Sequence, residues 1–135
     1  MKLSGGCLCG QVRYEASADP VFSGNCHCTD CQHASGGPYA PVMMFPPNAV
    51  NTTGPVKYFA SKGDSGHVIE RGFCQNCGSQ LFVKLEAVPG MVGIRPGSLD
   101  APANFQPDLD FFVSSAQPWD HMNPELPKRQ RSPQG

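Results

Sequence analysis

Residues 73–78 read FCQNCG, a pair of cysteines separated by two residues, with a glycine directly after the second. In this spacing a tight turn directs both thiolates and nearby backbone N–H groups toward one ion, as in the knuckles of structural zinc sites. A redox-active dithiol is the alternative, but the flanking sequence lacks the βαβ pattern of thioredoxin-like proteins. We therefore interpret Cys74 and Cys77 as one half of a metal site.

Five further cysteines form two groups nearer the start of the chain. Residues 5–10 read GGCLCG, which places Cys7 and Cys9 one residue apart. On an extended strand these two side chains would point to opposite faces, but the surrounding glycines allow the backbone to turn so that both can bind one ion. Residues 26–31 read CHCTDC and offer three thiolates within six residues. These three are Cys26, Cys28 and Cys31.

The number of cysteines favours two metal sites of different kinds. Seven cysteines in 135 residues are about 5% of the chain, below the ~8–10% of short disulfide-rich secreted proteins, and an odd number leaves one thiol unpaired. A structural zinc ion takes four ligands, which the two pairs supply, whereas a catalytic zinc takes three and keeps one open position. The triplet therefore predicts an open zinc site. The alternative is a purely structural zinc completed by His27, His33 or another side chain.

The composition excludes several classes of protein. Of the 135 residues, 39% are hydrophobic and 16% are charged, so we expect a folded chain with a core. The formal net charge of −1 argues against a nucleic-acid-binding surface as the main function. No apolar run approaches the ~20 residues that span a bilayer, and the first residues lack the apolar stretch of a secretory signal. We therefore expect a cytoplasmic protein with neither a membrane nor a nucleic-acid partner.

Short strand-like segments dominate the sequence between the cysteine motifs and predict a mainly β single domain of short antiparallel strands with little helix. The predicted strands cover residues 11–15, 39–45, 56–60, 67–73, 80–85 and 109–113. One short helix is predicted over residues 30–34, with Thr29 as its N-cap and Cys31 in its first turn. The domain is expected to cover residues 1–123. Residues 124–135 are rich in proline and basic residues and predict a disordered tail.

Taken together, the motifs resemble those of the glutathione-dependent formaldehyde-activating enzyme family, which includes centromere protein V-like domains. The resemblance extends from about residue 4 to 120 and rests on the three cysteine motifs in this order, followed by residues 97–100 (GSLD) and by Pro118 and Trp119. It implies a zinc-binding β-tent fold, shared with a small zinc-binding chaperone of Rab-type GTPases. It also implies two zinc ions. The structural zinc is placed on Cys7, Cys9, Cys74 and Cys77, and the second, open zinc on Cys26, Cys28 and Cys31.

The resemblance also implies a reaction. The family is named for the addition of glutathione to formaldehyde, which gives S-hydroxymethylglutathione and is reversed by cleavage of the carbon–sulfur bond. A zinc ion with three thiolate ligands suits this chemistry, because a thiol substrate can take the open position and be deprotonated there. We therefore expect a zinc-dependent carbon–sulfur lyase acting on a small thiol such as glutathione and an aldehyde, with Cys26, Cys28 and Cys31 at the catalytic centre. The alternative is a zinc-stabilised binding module without catalysis.

Three further expectations concern the surroundings of the second zinc. Many family members have a basic residue directly after the third cysteine of the triplet, where this chain has Gln32. His27 is expected to face away from the metal, and Trp119 to close the core, with a substrate wall as its alternative role. Glutathione carries carboxylates, so the site needs a cation. The candidates are Arg13, Lys57, Arg71 and Arg95.

Overall fold

The structure is a computed structural model that describes residues 2–133. Within this range ten strands form a three-stranded and a seven-stranded sheet. The strands are β1 (Leu3–Gly6), β2 (Arg13–Ala16), β3 (Phe22–Cys26), β4 (Ala40–Phe45), β5 (Val50–Thr53), β6 (Val56–Lys62), β7 (Val68–Cys74), β8 (Gln80–Leu85), β9 (Val92–Ile94) and β10 (Leu109–Phe111). One helix, α1, covers Thr29–Ser35, and short 3₁₀ turns cover Pro96–Ser98, Pro102–Asn104 and Val113–Ser115. The prediction of a mainly β single domain with little helix is confirmed.

Strands of the two sheets alternate along the chain, and the last crossing from the small sheet to the large one lies between β5 and β6. The small sheet has the order β1-β2-β5, and the large sheet has the order β10-β3-β4-β9-β8-β7-β6. Every pairing is antiparallel except that of β10 with β3, which is parallel. At the junction Gly54 has a φ of 105°, and a Cβ there would collide with the backbone of Gln11. A glycine is therefore needed where the chain crosses from one sheet to the other.

The large sheet is buried on both faces at its centre. Along β4 successive side chains alternate between two core clusters, because residues of a strand point alternately to opposite faces. Met43 and Phe45 belong to a cluster that also contains Tyr14. Val42 and Met44 belong to a second cluster on the other face. The first cluster includes Cys7 and Cys74, and the second includes Cys26 and Cys31. Each face of the sheet therefore supports one group of cysteines.

Part of the segment after residue 123 packs against the edge of the large sheet. Residues 127–131, which we call the C-terminal strap, lie along β10 and the residues that follow it. Asp110 N donates to Pro127 O at 3.0 Å, and Arg129 N donates to Asp110 O at 2.9 Å. Phe112 N donates to Arg131 O at 2.7 Å. The open edge of β10 offers backbone groups that the strap pairs with. No helix within residues 2–133 is long and apolar enough to cross a membrane.

Candidate metal centres

Four thiols from distant parts of the chain meet where the turn after β1 approaches the turn after β7. We call this group the four-cysteine site; its members are Cys7, Cys9, Cys74 and Cys77. Their Sγ atoms all lie within 4.8 Å of one another. The distance from Cys7 Sγ to Cys9 Sγ is 3.5 Å, and that from Cys9 Sγ to Cys74 Sγ is 3.8 Å. Four sulfurs bound tetrahedrally at the usual Zn–S distance of about 2.3 Å would lie roughly 3.8 Å apart. The thiols therefore fit one tetrahedral metal ion.

Two tight turns bring these thiols together. In the turn after β1, Gly10 N donates to Cys7 O at 3.2 Å. In the turn after β7, Gly78 N donates to Cys74 O at 2.8 Å, and Cys77 N donates to Cys74 Sγ at 3.4 Å. Gly10 and Gly78 have φ values of 84° and 77°, a conformation that favours glycine. The expected turn between Cys7 and Cys9 is therefore present.

Ser79 joins the two turns of the four-cysteine site. Its Oγ accepts a hydrogen bond from Leu8 N at 3.0 Å and lies 3.2 Å from Cys77 Sγ. Hydrogen bonds from the Ser79 hydroxyl, the Ser79 N–H and the Cys9 N–H lower the pKa of the Cys77 thiol to about 5. Sequence reasoning did not assign a role to Ser79. The signal that could have found it is a hydroxyl residue directly after the glycine of the knuckle.

The second group, which we call the three-cysteine site, lies on the opposite face of the large sheet and consists of Cys26, Cys28 and Cys31. Its Sγ atoms also lie within 4.8 Å of one another. Cys26 ends β3, and Cys31 lies in the first turn of α1 as predicted. The N-cap of α1 is Cys28 and not Thr29, since Cys28 has an extended backbone and its Sγ accepts from Cys31 N at 3.3 Å. The sulfur takes the place of the usual capping oxygen, so one thiol both caps the helix and faces the site.

No fourth His, Cys, Asp or Glu ligand joins the three-cysteine site within residues 2–133. Neither His27 nor His33 lies with these three thiols. His33 is exposed, and its Nδ1 lies 3.0 Å from Thr29 O. His27 is completely buried and faces two carboxylates, with Nε2 at 2.9 Å from Asp110 Oδ1. Its Nδ1 lies 2.8 Å from Asp120 Oδ2, in a contact that does not meet the geometry of a hydrogen bond.

A network of polar side chains surrounds the buried ring of His27. Lys128 Nζ of the C-terminal strap contacts Asp110 Oδ2 at 2.8 Å, and Asn25 Nδ2 donates to Asp110 Oδ1 at 3.2 Å. Burial raises the pKa of Asp110, but the hydrogen bonds from Lys128, His27 and Asn25 lower it further than burial raises it. Asp110 is therefore an ionised carboxylate, and it contacts the loop that carries Cys26 and Cys28 through His27. Sequence reasoning missed this role, because the partners are distant along the chain.

Two arginines stand beside Cys31. Arg71, on β7, is only 9% exposed, and its Nη2 lies 4.0 Å from Cys31 Sγ. Arg95 follows β9, and its Nη1 donates to Pro41 O at 3.1 Å. Hydrogen bonds from Cys26 and Cys28 are the main cause of a strongly lowered pKa at the Cys31 thiol. The charges of Arg95 and Arg71 lower this pKa as well, whereas burial raises it.

Of the four cationic side chains that the sequence offers as candidates, two lie at the three-cysteine site and two do not. Arg71 and Arg95 lie at the three-cysteine site, as described above. Arg13 instead forms a two-point ion pair with Asp100, in which Nη1 lies 2.9 Å from Oδ1. Lys57 is exposed on β6. Two arginines therefore remain as cations that could act on a ligand of the three-cysteine site.

Gln32 and Trp119 complete the surroundings of α1. Gln32 Nε2 donates to His27 O at 2.8 Å and to Ser115 O at 2.9 Å, while its Oε1 accepts from Gln117 Nε2 at 3.1 Å. The side chain at this position therefore links α1 to the 3₁₀ turn after β10, and it needs both a donor and an acceptor. The expectation that Trp119 closes the core is wrong, because its side chain is 59% exposed beside the buried Asp120 carboxylate.

Two comparisons relate the chain to known proteins. The sequence model of the glutathione-dependent formaldehyde-activating enzyme family matches residues 2–115. Among solved structures, the chain is similar to the crystal structure of a Rhodobacter sphaeroides protein determined by a structural genomics consortium. The two are 15% identical with a TM-score of 0.58, over 93% of this chain and 98% of that chain. At this identity the likeness shows the fold alone.

Proposed function

The chain belongs to the glutathione-dependent formaldehyde-activating enzyme family, and from this premise we propose that it is a zinc-dependent enzyme that makes or cleaves the carbon–sulfur bond between a small thiol and an aldehyde. The observation that carries the proposal is the difference between the two cysteine groups. The four-cysteine site has a full tetrahedral set of donors, whereas the three-cysteine site has three thiols and no fourth ligand within residues 2–133. Three protein ligands and one open position are typical of catalytic zinc.

The donor atoms support zinc at both sites. Each site offers only thiols, and soft sulfur ligands in a tetrahedral arrangement suit zinc. In the proposal the four-cysteine site holds a structural zinc, and the three-cysteine site holds the zinc that takes the substrate. When bound there, the ion lowers the pKa of a thiol substrate and holds its thiolate close to the aldehyde.

The residues around the three-cysteine site fix its geometry and its charge. Capping by Cys28 ties the position of α1 to the site, and Gln32 ties the same helix to Ser115. Three thiolates around a divalent ion leave about one net negative charge. The guanidiniums of Arg71 and Arg95 beside Cys31 offset part of this charge. These side chains hold the reactants in place, and proximity supplies much of the rate enhancement.

The proposal is tested by metal content, sulfur coordination and exchange kinetics. We expect two zinc ions per chain, with X-ray absorption giving an average of more than three sulfur ligands per zinc and a contribution from a non-protein atom. Magnetisation-exchange NMR on mixtures of formaldehyde and glutathione should show adduct formation faster than the uncatalysed background. A zinc-loaded protein that leaves this exchange at the background rate would contradict the proposal.

A pair of cysteine variants separates an enzyme from a zinc-stabilised binding module. Cys28→Ser should abolish the accelerated exchange and leave most of the circular dichroism signal of the fold. Cys74→Ser is the matched control at the four-cysteine site and should unfold the domain, because a structural zinc contributes its binding energy to folding. If Cys28→Ser keeps the full exchange rate, the three-cysteine site is not catalytic.

A further inference from the structure

One guanidinium at the three-cysteine site has an unused donor. Arg71 is 9% exposed, and its buried Nε has no hydrogen-bond acceptor within residues 2–133. A buried donor without a partner destabilises the folded protein, and more strongly when the group is charged. Such a group in a folded protein needs an explanation, and binding of a ligand is one of the usual ones.

The unused donor is on the side of the guanidinium that faces the site. Nη1 donates to Ser61 Oγ at 3.3 Å on β6, whereas Nη2 lies 4.0 Å from Cys31 Sγ. Nε and Nη2 belong to the same edge of the guanidinium, and two parallel N–H groups of one edge can bind both oxygens of a carboxylate. The Nη2 contact is at the outer limit for an N–H···S hydrogen bond, so Cys31 does not occupy this edge fully.

An exposed aromatic ring of the neighbouring strand lies beside this arginine. β6 is at the end of the large sheet, and Phe59 of β6 is directly opposite Arg71 in the register. Directly paired residues project from the same face of a sheet, so Phe59 stands beside Arg71 on the face of the three-cysteine site. The Phe59 side chain is 64% exposed although it is large and apolar. An exposed aromatic ring beside a buried cation provides an apolar surface and a charge for one ligand.

A role as counter-ion alone does not explain Arg71. Arg95 also acts on Cys31 by its charge, and its Nη1 has an acceptor in Pro41 O. A guanidinium that served only the thiolates would direct its paired N–H groups at sulfur. Instead, Arg71 has one such group at 4.0 Å from sulfur and the other without an acceptor.

We infer that Arg71 is a substrate-binding residue whose Nε–Nη2 edge binds the carboxylate of a thiol that carries both groups. The inference rests on the proposed function, because it takes the sulfur of the same molecule to bind at the three-cysteine site. The preferred substrates are therefore thiols with a carboxylate, and uncharged thiols of similar size bind more weakly. This preference is a property of Arg71 and not of the cysteines.

The test compares two small thiols by isothermal titration calorimetry with the zinc-loaded full chain. The probes are 3-mercaptopropionate, which carries a carboxylate, and 2-mercaptoethanol, which does not. Arg71→Met should weaken binding of 3-mercaptopropionate by about tenfold to a hundredfold, because a hydrogen bond to a charged group is lost, and should change binding of 2-mercaptoethanol by less than about threefold. Arg71→Lys keeps the charge without the paired donors and should fall between the two proteins. Arg13→Met removes an arginine bonded to Asp100 and should match the wild type.

Each result decides between the alternatives. Equal weakening for both thiols, or no weakening for either, would overturn the inference while leaving the proposed function intact. A folded Arg71→Met or Arg71→Lys protein that binds only one zinc per chain would also overturn it, because the guanidinium would then serve the thiolates. If neither thiol binds the zinc-loaded wild type, the proposed function itself fails.

Discussion

Residues next to the cysteines also shape the three-cysteine site. His27 sits between two cysteines, yet its ring nitrogens face Asp110 and Asp120. A residue between two ligands that point one way must project the other way, and here that direction leads into a buried polar network. The carboxylates hold the ring, and the ring fixes the loop that carries Cys26 and Cys28. Partners of this kind are a regular feature of metal sites.

Gln32 allows a prediction at the scale of one residue. Gln32→Leu leaves the carbonyl groups of His27 and Ser115 without their donor, so we expect the free energy of unfolding of the zinc-loaded protein to fall by about 2 kcal/mol. Gln32→Arg restores a donor and the basic residue of many family members, but it cannot accept from Gln117. We expect this variant to lose only about 1 kcal/mol. Urea denaturation measures both changes.

The control for Gln32 is an exposed glutamine. Gln11 lies on the surface, and Gln11→Leu should change the free energy of unfolding by less than about 0.5 kcal/mol. Equal stability of Gln32→Leu and Gln11→Leu would show that the link between α1 and the turn after β10 does not stabilise the fold.

At the scale of elements, the C-terminal strap stabilises both an edge strand and a buried charge. β10 pairs with β3 on one side, and the strap bonds to its other side through Asp110 and the residues that follow. Lys128 of the strap reaches the Asp110 carboxylate, which in turn holds His27. A segment that looks like a solvated tail thus connects to the loop that carries the three-cysteine site.

The ion pair of the strap predicts a pH dependence. The pKa of Asp110 is lowered in the folded protein, so its contribution to stability is fully present above the value of about 3.9 for an unfolded aspartate and is lost as the pH falls through the lower folded pKa. Lys128→Met removes the strongest lowering influence and leaves burial, which raises the pKa. The variant should be about 1–2 kcal/mol less stable at pH 7, since Lys128 is partly exposed, and the deficit should shrink as the pH is lowered.

Urea denaturation of both zinc-loaded proteins at pH 7, 6, 5 and 4 measures this deficit. Comparing variant with wild type at each pH cancels the loss of zinc that both proteins share. Lys62→Met, at an exposed lysine of β6, is the control and should show no deficit. Equal stability of Lys128→Met and the wild type at pH 7 would contradict a stabilising ion pair with Asp110.

How far the sequence predicts each element depends on what stabilises that element. Residues 80–85 contain three consecutive buried apolar residues on an inner strand of the large sheet, and β8 has the predicted bounds. β1 reads LSGG and β5 reads VNTT, and these segments form strands because neighbouring strands supply their hydrogen bonds. Short segments of this kind lack an apolar pattern of their own. The same limit explains the C-terminal strap, whose position is set by Asp110.

In the candidate sites, too, the features with a local sequence motif could be predicted, and those that depend on tertiary contacts could not. Cysteine spacing alone predicts one group of four thiols and one of three, and the structure brings together those same sulfurs. The side chains around them were harder to predict. Ser79, Asp110 and Lys128 have no motif, because they meet their partners only after the chain has folded. Arg71 could be named as one candidate cation, but only the packing of β7 separates it from Arg13.

At the scale of the molecule, the two sites occupy opposite faces of one sheet and differ in what they connect. The four-cysteine site ties the turn after β1 in the small sheet to the turn after β7 in the large sheet. The three-cysteine site is local, because its thiols come from the end of β3 and the start of α1. Loss of an ion from the four-cysteine site would remove a connection between the two sheets. Loss of an ion from the second would affect one loop and one helix turn.

This difference predicts that zinc leaves the protein in two stages under a chelator. An ion with three protein ligands and an exchangeable fourth ligand should be removed first, with little change in far-ultraviolet circular dichroism. The second ion should be released only with unfolding, since binding at a closed structural site is coupled to folding. Zinc release followed with a chromogenic indicator, alongside circular dichroism, measures both stages. Cys28→Ser should begin with one zinc per chain and show only the slow stage. Release of both ions in one phase, together with unfolding, would show that the two sites are structural alike.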